Sequence, residues 1–259
     1  NVAIGYGTLA AETLGDRSVA IGANALNAQA NTSDVDVYNV AIGYEAGTLI
    51  TTAVNNTIIG GLAGNAITTG GFNVAIGYDS LGLNTIGNSN VAIGTGAMAT
   101  NVAADRNVAI GTDALENMTA ANTADHYNVA VGYHAGNSIT SGVQNVIMGG
   151  QASDALLTGE RNVVMGHGAL GAANGSESRN TAIGWSALAV LDNDGNNSNT
   201  AIGYASGFAV TTGANNTLIG SQAGDALTTG SNNIIIGATA AASAVGVDNT
   251  TVIGTTTTT

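Results

Sequence analysis

Asn73-Val74-Ala75-Ile76-Gly77 is a phrase that this chain repeats from one end to the other. It reads Asn1-Val2-Ala3-Ile4-Gly5 at the start, Asn107-Val108-Ala109-Ile110-Gly111 near the middle and Asn233-Ile234-Ile235-Ile236-Gly237 late on. Fifteen glycines close it: Gly5, Gly22, Gly43, Gly60, Gly77, Gly94, Gly111, Gly132, Gly149, Gly166, Gly184, Gly203, Gly220, Gly237 and Gly254. Most are 17 residues apart, with longer steps after Gly22, Gly111, Gly166 and Gly184. A fixed period this short is the signature of a solenoid. It makes residues 1–254 a single continuous repeat domain and leaves Thr255–Thr259 as a Thr-rich end. The chain opens inside a repeat without Met, so it reads as a piece of a longer protein.

Within the phrase, Val74 and Ile76 point one way and Ala75 the other, as a short strand requires. Both faces are apolar or small, the pattern of a strand covered on two sides. The closing glycine reads as a corner with positive φ or close backbone approach. A second short segment follows, as in Gly77-Tyr78-Asp79-Ser80-Leu81 and Gly132-Tyr133-His134-Ala135-Gly136, and a polar turn such as Thr68-Thr69-Gly70 ends the coil. A helix is excluded by 38 glycines in 259 residues and by the lack of a 3.6-residue period. The expected fold is therefore all-β: a parallel solenoid or roll of about 15 coils, each about 4.7–4.9 Å from the next.

Asn opens the phrase in every coil except those starting at Ser18 and Thr250. Stacked in register, side chains such as Asn39, Asn56, Asn73, Asn90 and Asn107 can bond to one another as a ladder. The corner glycines Gly43, Gly60, Gly77, Gly94 and Gly111 form a second column. A 17-residue coil encloses little volume, and small cores usually need staples or oligomerisation. With no cysteine to staple it, a side-by-side or intertwined homotrimer is expected, with the Ala column of the strands as the face of close approach.

Asn-Val/Thr-Ala-Ile-Gly-x-x-Ala-Leu and its Ala-Gly variant resemble the head repeats of YadA-like trimeric autotransporter adhesins, and related repeats of phage tail fibres and bacterial surface fibres. The resemblance covers residues 1–254, although the coil here is longer than in those adhesin heads. It implies a homotrimeric, non-enzymatic adhesive or structural segment, extracellular, on a bacterial cell surface or a virion. A host-surface glycan or protein is the partner it implies.

Charge narrows the partners further. Four arginines, no lysine and 17 acids give a net charge of -13. This excludes the phosphate-neutralising surface of a nucleic-acid binder and a polybasic membrane anchor. There is no run of 18 apolar residues to insert into a bilayer. Arg17, Arg106, Arg161 and Arg179 each stand five residues before a corner glycine. They read either as ion pairs between chains or as exposed pairs contributing at most about 1 kcal/mol.

Tyr6, Tyr44, Tyr78, Tyr133, Trp185 and Tyr204 directly follow a corner glycine. They can stack on sugar rings, since such side chains pair an apolar face with a polar tip, or they can cap the roll and pack between chains. Enlarged coils precede the Ala/Ser-Gly pairs that begin at Gly43, Gly132 and Gly203, and their acidic inserts should bulge from one side. In the third insert Asp192, Asp194 and Asn196 have the oxygen spacing of a Ca2+ loop without its distal Glu. They equally fit a solvated turn, and no other cofactor is expected.

No catalytic constellation emerges. Gly166-His167-Gly168-Ala169-Leu170-Gly171 matches a dinucleotide fingerprint only by letters, because no helix follows. A depolymerase would need acids clustered across neighbouring coils, whereas Asp34 with Asp36, and Asp192 with Asp194, lie on inserts. An ice-binding face would need Thr51-Thr52, Thr68-Thr69, Thr211-Thr212 and Thr228-Thr229 on consecutive coils without interruption. A passive spacer or a self-assembling filament segment stays open beside the adhesive reading.

Overall fold

The computed structural model describes residues 1–31, 33–120, 124–242 and 244–254. Thr32 of the first insert, Ala121–Thr123 of the second and the Thr-rich end at 255–259 lie outside the described residues. The chain divides into two compact units, Asn1–Tyr127 and Asn128–Thr259. Each is a parallel β-solenoid with no helix among the described residues.

The first unit stacks seven three-residue strands: β1 (Val2–Ile4), β3 (Val19–Ile21), β5 (Val40–Ile42), β6 (Thr57–Ile59), β7 (Val74–Ile76), β8 (Val91–Ile93) and β9 (Val108–Ile110). All pair parallel and without slip, so that Val74, Ala75 and Ile76 face Val91, Ala92 and Ile93. A side pair, β2 (Gly15–Asp16) with β4 (Val35–Asp36), ties the first enlarged coil to the one before it. The second unit stacks eight strands in the same way, from β10 (Val129–Val131) to β17 (Thr251–Ile253).

The middle residue of each strand is the one that points into the coil. Ala20, Ala41, Ile58, Ala75, Ala92 and Ala109 are fully buried in the first unit. The flanking Val and Ile side chains lie on the outer face, where Ile42 and Ile110 are exposed. The Ala column is therefore not the outward face the sequence indicated. The reason is room: in several coils a small Ala stands inside opposite a large side chain four residues past the corner glycine, as with Ala75 and Leu81 or Ala92 and Met98.

That opposition also accounts for the Ala-Gly coils. Where the fourth residue is Gly47 or Gly64, a large residue fills the gap three positions on (Ile50, Ile67), and the strand between carries Ile58. A Cβ on Gly47 would come within 3.0 Å of both Ile50 and Ile58 Cδ1. The second unit repeats the exchange with Gly207, Val210 and Leu218, where a Cβ on Gly207 would approach Leu218 Cδ1 to 2.6 Å. The residue that fills the core thus shifts position from coil to coil, and the inside stays close-packed.

The second short segment is a turn held by bonds to the next coil, for example Leu81 N–H to Ala97 O (3.0 Å) and Leu83 N–H to Ala99 O (2.8 Å). Its path needs left-handed backbone at side-chain-bearing residues, including Asp79 (φ 56°) and Leu81 (φ 50°), and again at Phe72 (φ 61°) before the phrase. Such residues cost about 1–2 kcal/mol each in isolation. Here the ladder bonds of neighbouring coils hold them in place.

Candidate functional site

Asn73 shows how each coil is closed. Its own N–H donates to Asn56 Oδ1 (2.9 Å), its Oδ1 accepts the N–H of Asn90 (2.9 Å), and its Nδ2 donates to Gly87 O (2.9 Å) at the far end of the same coil. Asn39, Asn56, Asn90 and Asn107 are likewise buried, and Asn107 N–H donates to Asn90 Oδ1 (3.0 Å). The ladder runs mainly from side chain to backbone. Direct amide-to-amide bonds add to it in some coils, as from Asn56 Nδ2 to Asn39 Oδ1 (3.3 Å) and from Asn145 Nδ2 to Asn128 Oδ1 (3.0 Å).

Ser18 breaks this column, and a residue from elsewhere in its coil substitutes. The buried Gln29 donates to Ser18 Oγ (3.2 Å) and accepts from Asn39 Nδ2 (3.0 Å). It also donates to Glu12 Oε2 (2.8 Å), a carboxylate that gathers the N–H groups of Thr13, Leu14 and Gly15 and the side-chain amide of Asn31. Burial pushes the Glu12 carboxyl up. The bonds from Gly15, Asn31, Gln29 and Leu14 outweigh it and hold the group at about 2, below its ordinary 4.5.

Because the unfolded chain takes up the Glu12 proton first, stability from this group is complete above about 4.5 and is lost as the pH falls toward 2. Protection of the Gly15 and Asn31 amides from exchange, relative to the intrinsic rate at each pH, should fall over that window, and Glu12→Gln should remove the dependence. A Glu12→Gln protein with the same acid response would locate the acid sensitivity elsewhere.

The arginines fall into different settings. Arg17 donates to Asp36 and to the Tyr38 hydroxyl, with its guanidinium 5.4 Å from the Tyr38 ring centre. Tyr38, and then the charge of Asp36, push the Arg17 guanidinium up from its ordinary value. The cluster recurs at Arg106, which pairs with Asp125 and lies 5.8 Å from the Tyr127 ring. In the second unit Arg161 bonds Glu160 (2.7 Å) and Gln144 (3.0 Å), and Arg179 is exposed. Three of the arginines indicated as inter-chain contacts thus have carboxylate partners on their own chain.

Asp36 and Asp125 come from the enlarged coils, which turn back on the coil before them. Asp36 lies in register with Asp16, Asp125 with Asp105 and Asn196 with Ser178. At these positions the inserts are docked on the preceding coil. Asp194 Oδ1 accepts the Ser176 N–H (2.9 Å) and Asp192 Oδ2 accepts from Asn174 Nδ2 (3.4 Å), so both carboxylates brace the preceding turn. No group of three or more His, Cys, Asp or Glu converges for a metal ion among the described residues.

Tyr44, Tyr78, Tyr133, Trp185 and Tyr204 are all exposed, as the corner position requires. Trp185 and Tyr204, on adjacent coils, stack with ring centres 5.0 Å apart and planes 10° apart. With Ala205, Phe208, Gln222 and Asp225 they line an open depression of about 350 Å³ in the second unit. The sequence marks Trp185 and Tyr204 by their place after the glycine. Phe208, Gln222 and Asp225 carry no such mark, since only the coil stack brings them alongside.

The first threonine of each pair bonds to the backbone of the next coil. Thr51 Oγ1 donates to Thr68 O (3.1 Å), Thr68 Oγ1 to Thr85 O (3.0 Å) and Thr211 Oγ1 to Thr228 O (3.3 Å). Comparison with known proteins found no match: no family model fits the chain, and no curated protein or solved structure is similar to it.

Proposed function

We propose that the chain is a non-enzymatic structural and adhesive segment of an extracellular surface fibre, assembled as a homotrimer. The observation that carries this reading is the apolar outer face of the strands. In the first unit it leaves Ile42 and Ile110 exposed, and in the second Met148, Met165, Ile202 and Ile234. Contiguous exposed apolar rows mark interaction surfaces, and a repeat with 4 basic residues against 17 acids has none of the charge a nucleic-acid partner would select. The second short segment of the coil carries the exposed aromatic side chains, which are available to meet a host-surface glycan or protein. The likeness of the repeat phrase to adhesin heads points the same way.

Light scattering on the purified chain should give about three times its 25.2 kDa mass. Ile110→Arg on the outer face should lower that mass without unfolding the coils. A monomeric wild-type chain would overturn the trimer and leave a self-sufficient spacer.

A further inference from the structure

We infer that the depression beside Trp185 and Tyr204 binds a neutral, β-linked hexose oligosaccharide. The inference rests on the adhesive reading and names the ligand chemistry of one surface.

The wall is built by three consecutive coils. Ala205 N–H donates to Trp185 O (2.8 Å) and Gln222 N–H to Tyr204 O (2.7 Å), which fixes the coils in register. Trp185 and Tyr204 occupy the position after the corner glycine in the first two coils, and the third has Ser221 there. The aromatic stack therefore ends after two rings while the backbone column continues. One coil on, the place of a third ring is vacated by a small side chain.

Phe208 and Asp225 stand side by side, each five residues past its corner glycine, and Gln222 lies next to Ser221. The depression thus joins apolar ring surface to one carboxylate acceptor and one amide that both donates and accepts. Its volume of about 350 Å³ lies at the lower end of the roughly 300–1,000 Å³ typical of ligand sites.

A β-linked glucopyranose or galactopyranose is flat and offers an apolar C–H face for Tyr204 and Phe208 and a rim of hydroxyls for Asp225 and Gln222. The lining includes no cation, and the chain carries a charge of -13, so an acidic sugar is disfavoured. Asp225 with aromatic neighbours could also attract an organic cation. The aromatic cages that hold quaternary ammonium ions, however, surround the cation with several ring faces, and Trp185 and Tyr204 are within 10° of parallel.

Trp185 is the one tryptophan in the chain, so its fluorescence reports this surface alone. Titration of the full chain with cellohexaose and with β-1,4-galactotetraose should give a saturable change for at least one of them, in the millimolar range or tighter. Tyr204→Ala should weaken binding about tenfold and Asp225→Asn several-fold, with both variants keeping the wild-type circular dichroism spectrum. Tetragalacturonate and choline chloride should produce no saturable change.

No response to either neutral oligosaccharide, or a stronger response to choline, overturns the inference. So does a saturable response that Tyr204→Ala leaves intact. A flat titration in a chain of threefold mass removes the saccharide site and leaves the fibre. A saturable titration in a monomer does the reverse.

Discussion

Gly77→Ala is expected to destabilise the first unit by about 4 kcal/mol or more. Two costs add at this atom. The backbone there has φ +131°, outside the regions that side-chain-bearing residues adopt. The new Cβ would also lie 2.6 Å from the carbonyl carbon and oxygen of Gly94. Neither atom moves freely, because Gly94 N–H is bonded to Ile76 O (2.8 Å) and the same glycine column continues to Gly111, whose carbonyl oxygen a Cβ on Gly94 would approach to 2.5 Å. Gly61→Ala is the control: a Cβ there meets nothing closer than Tyr78 Cδ2 at 3.7 Å and should cost under about 0.5 kcal/mol. Urea unfolding of the two variants checks the contrast. Equal midpoints would mean that the corner column does not set the coil spacing.

Asn73→Ala is expected to cost about 2–4 kcal/mol. It leaves the buried Asn90 N–H without an acceptor and opens a void inside the coil. Gly87 O suffers less, since Asn84 Nδ2 still reaches it at 3.1 Å. Asn73→Asp separates the two functions of the amide. It restores the acceptor for Asn90 while removing the donor and adding a buried charge, so it should recover stability only as the pH falls and the carboxyl is protonated. An Asn73→Asp protein that is most stable at neutral pH would refute this division of roles.

The solenoid itself was legible because its signal is redundant: the same five letters return at one period, and a strand position read once is read fifteen times. Facing was harder. Val74, Ala75 and Ile76 are all apolar, so alternation shows that two faces exist without showing which is inside. Only the opposing Leu81 decides it, and its bulk leaves Ala75 as the inward partner.

The left-handed residues were hidden for a related reason. Glycine announces positive φ at Gly77, whereas Leu81 and Phe72 adopt it under constraint from neighbouring coils and carry no mark in the sequence. Glu12 and Gln29 were missed because their roles depend on the absence of an Asn at Ser18. The aromatic depression was half visible. Position after the corner glycine singled out Trp185 and Tyr204, but nothing local ties Asp225 to a residue 40 positions earlier.

The coil-to-coil bonds also set a mechanical character. In β7 and β8 each three-residue strand is held through a short row, such as Val74 N–H to Asn90 O (2.8 Å) and Gly94 N–H to Ile76 O (2.8 Å), always to the adjacent turn. Tension applied through the chain would meet those rows one after another instead of all at once. Each yielding turn would release 17 residues, roughly 55–60 Å of slack, and dissipate work before the next is loaded. A tether with this behaviour would lengthen under a sudden pull without parting.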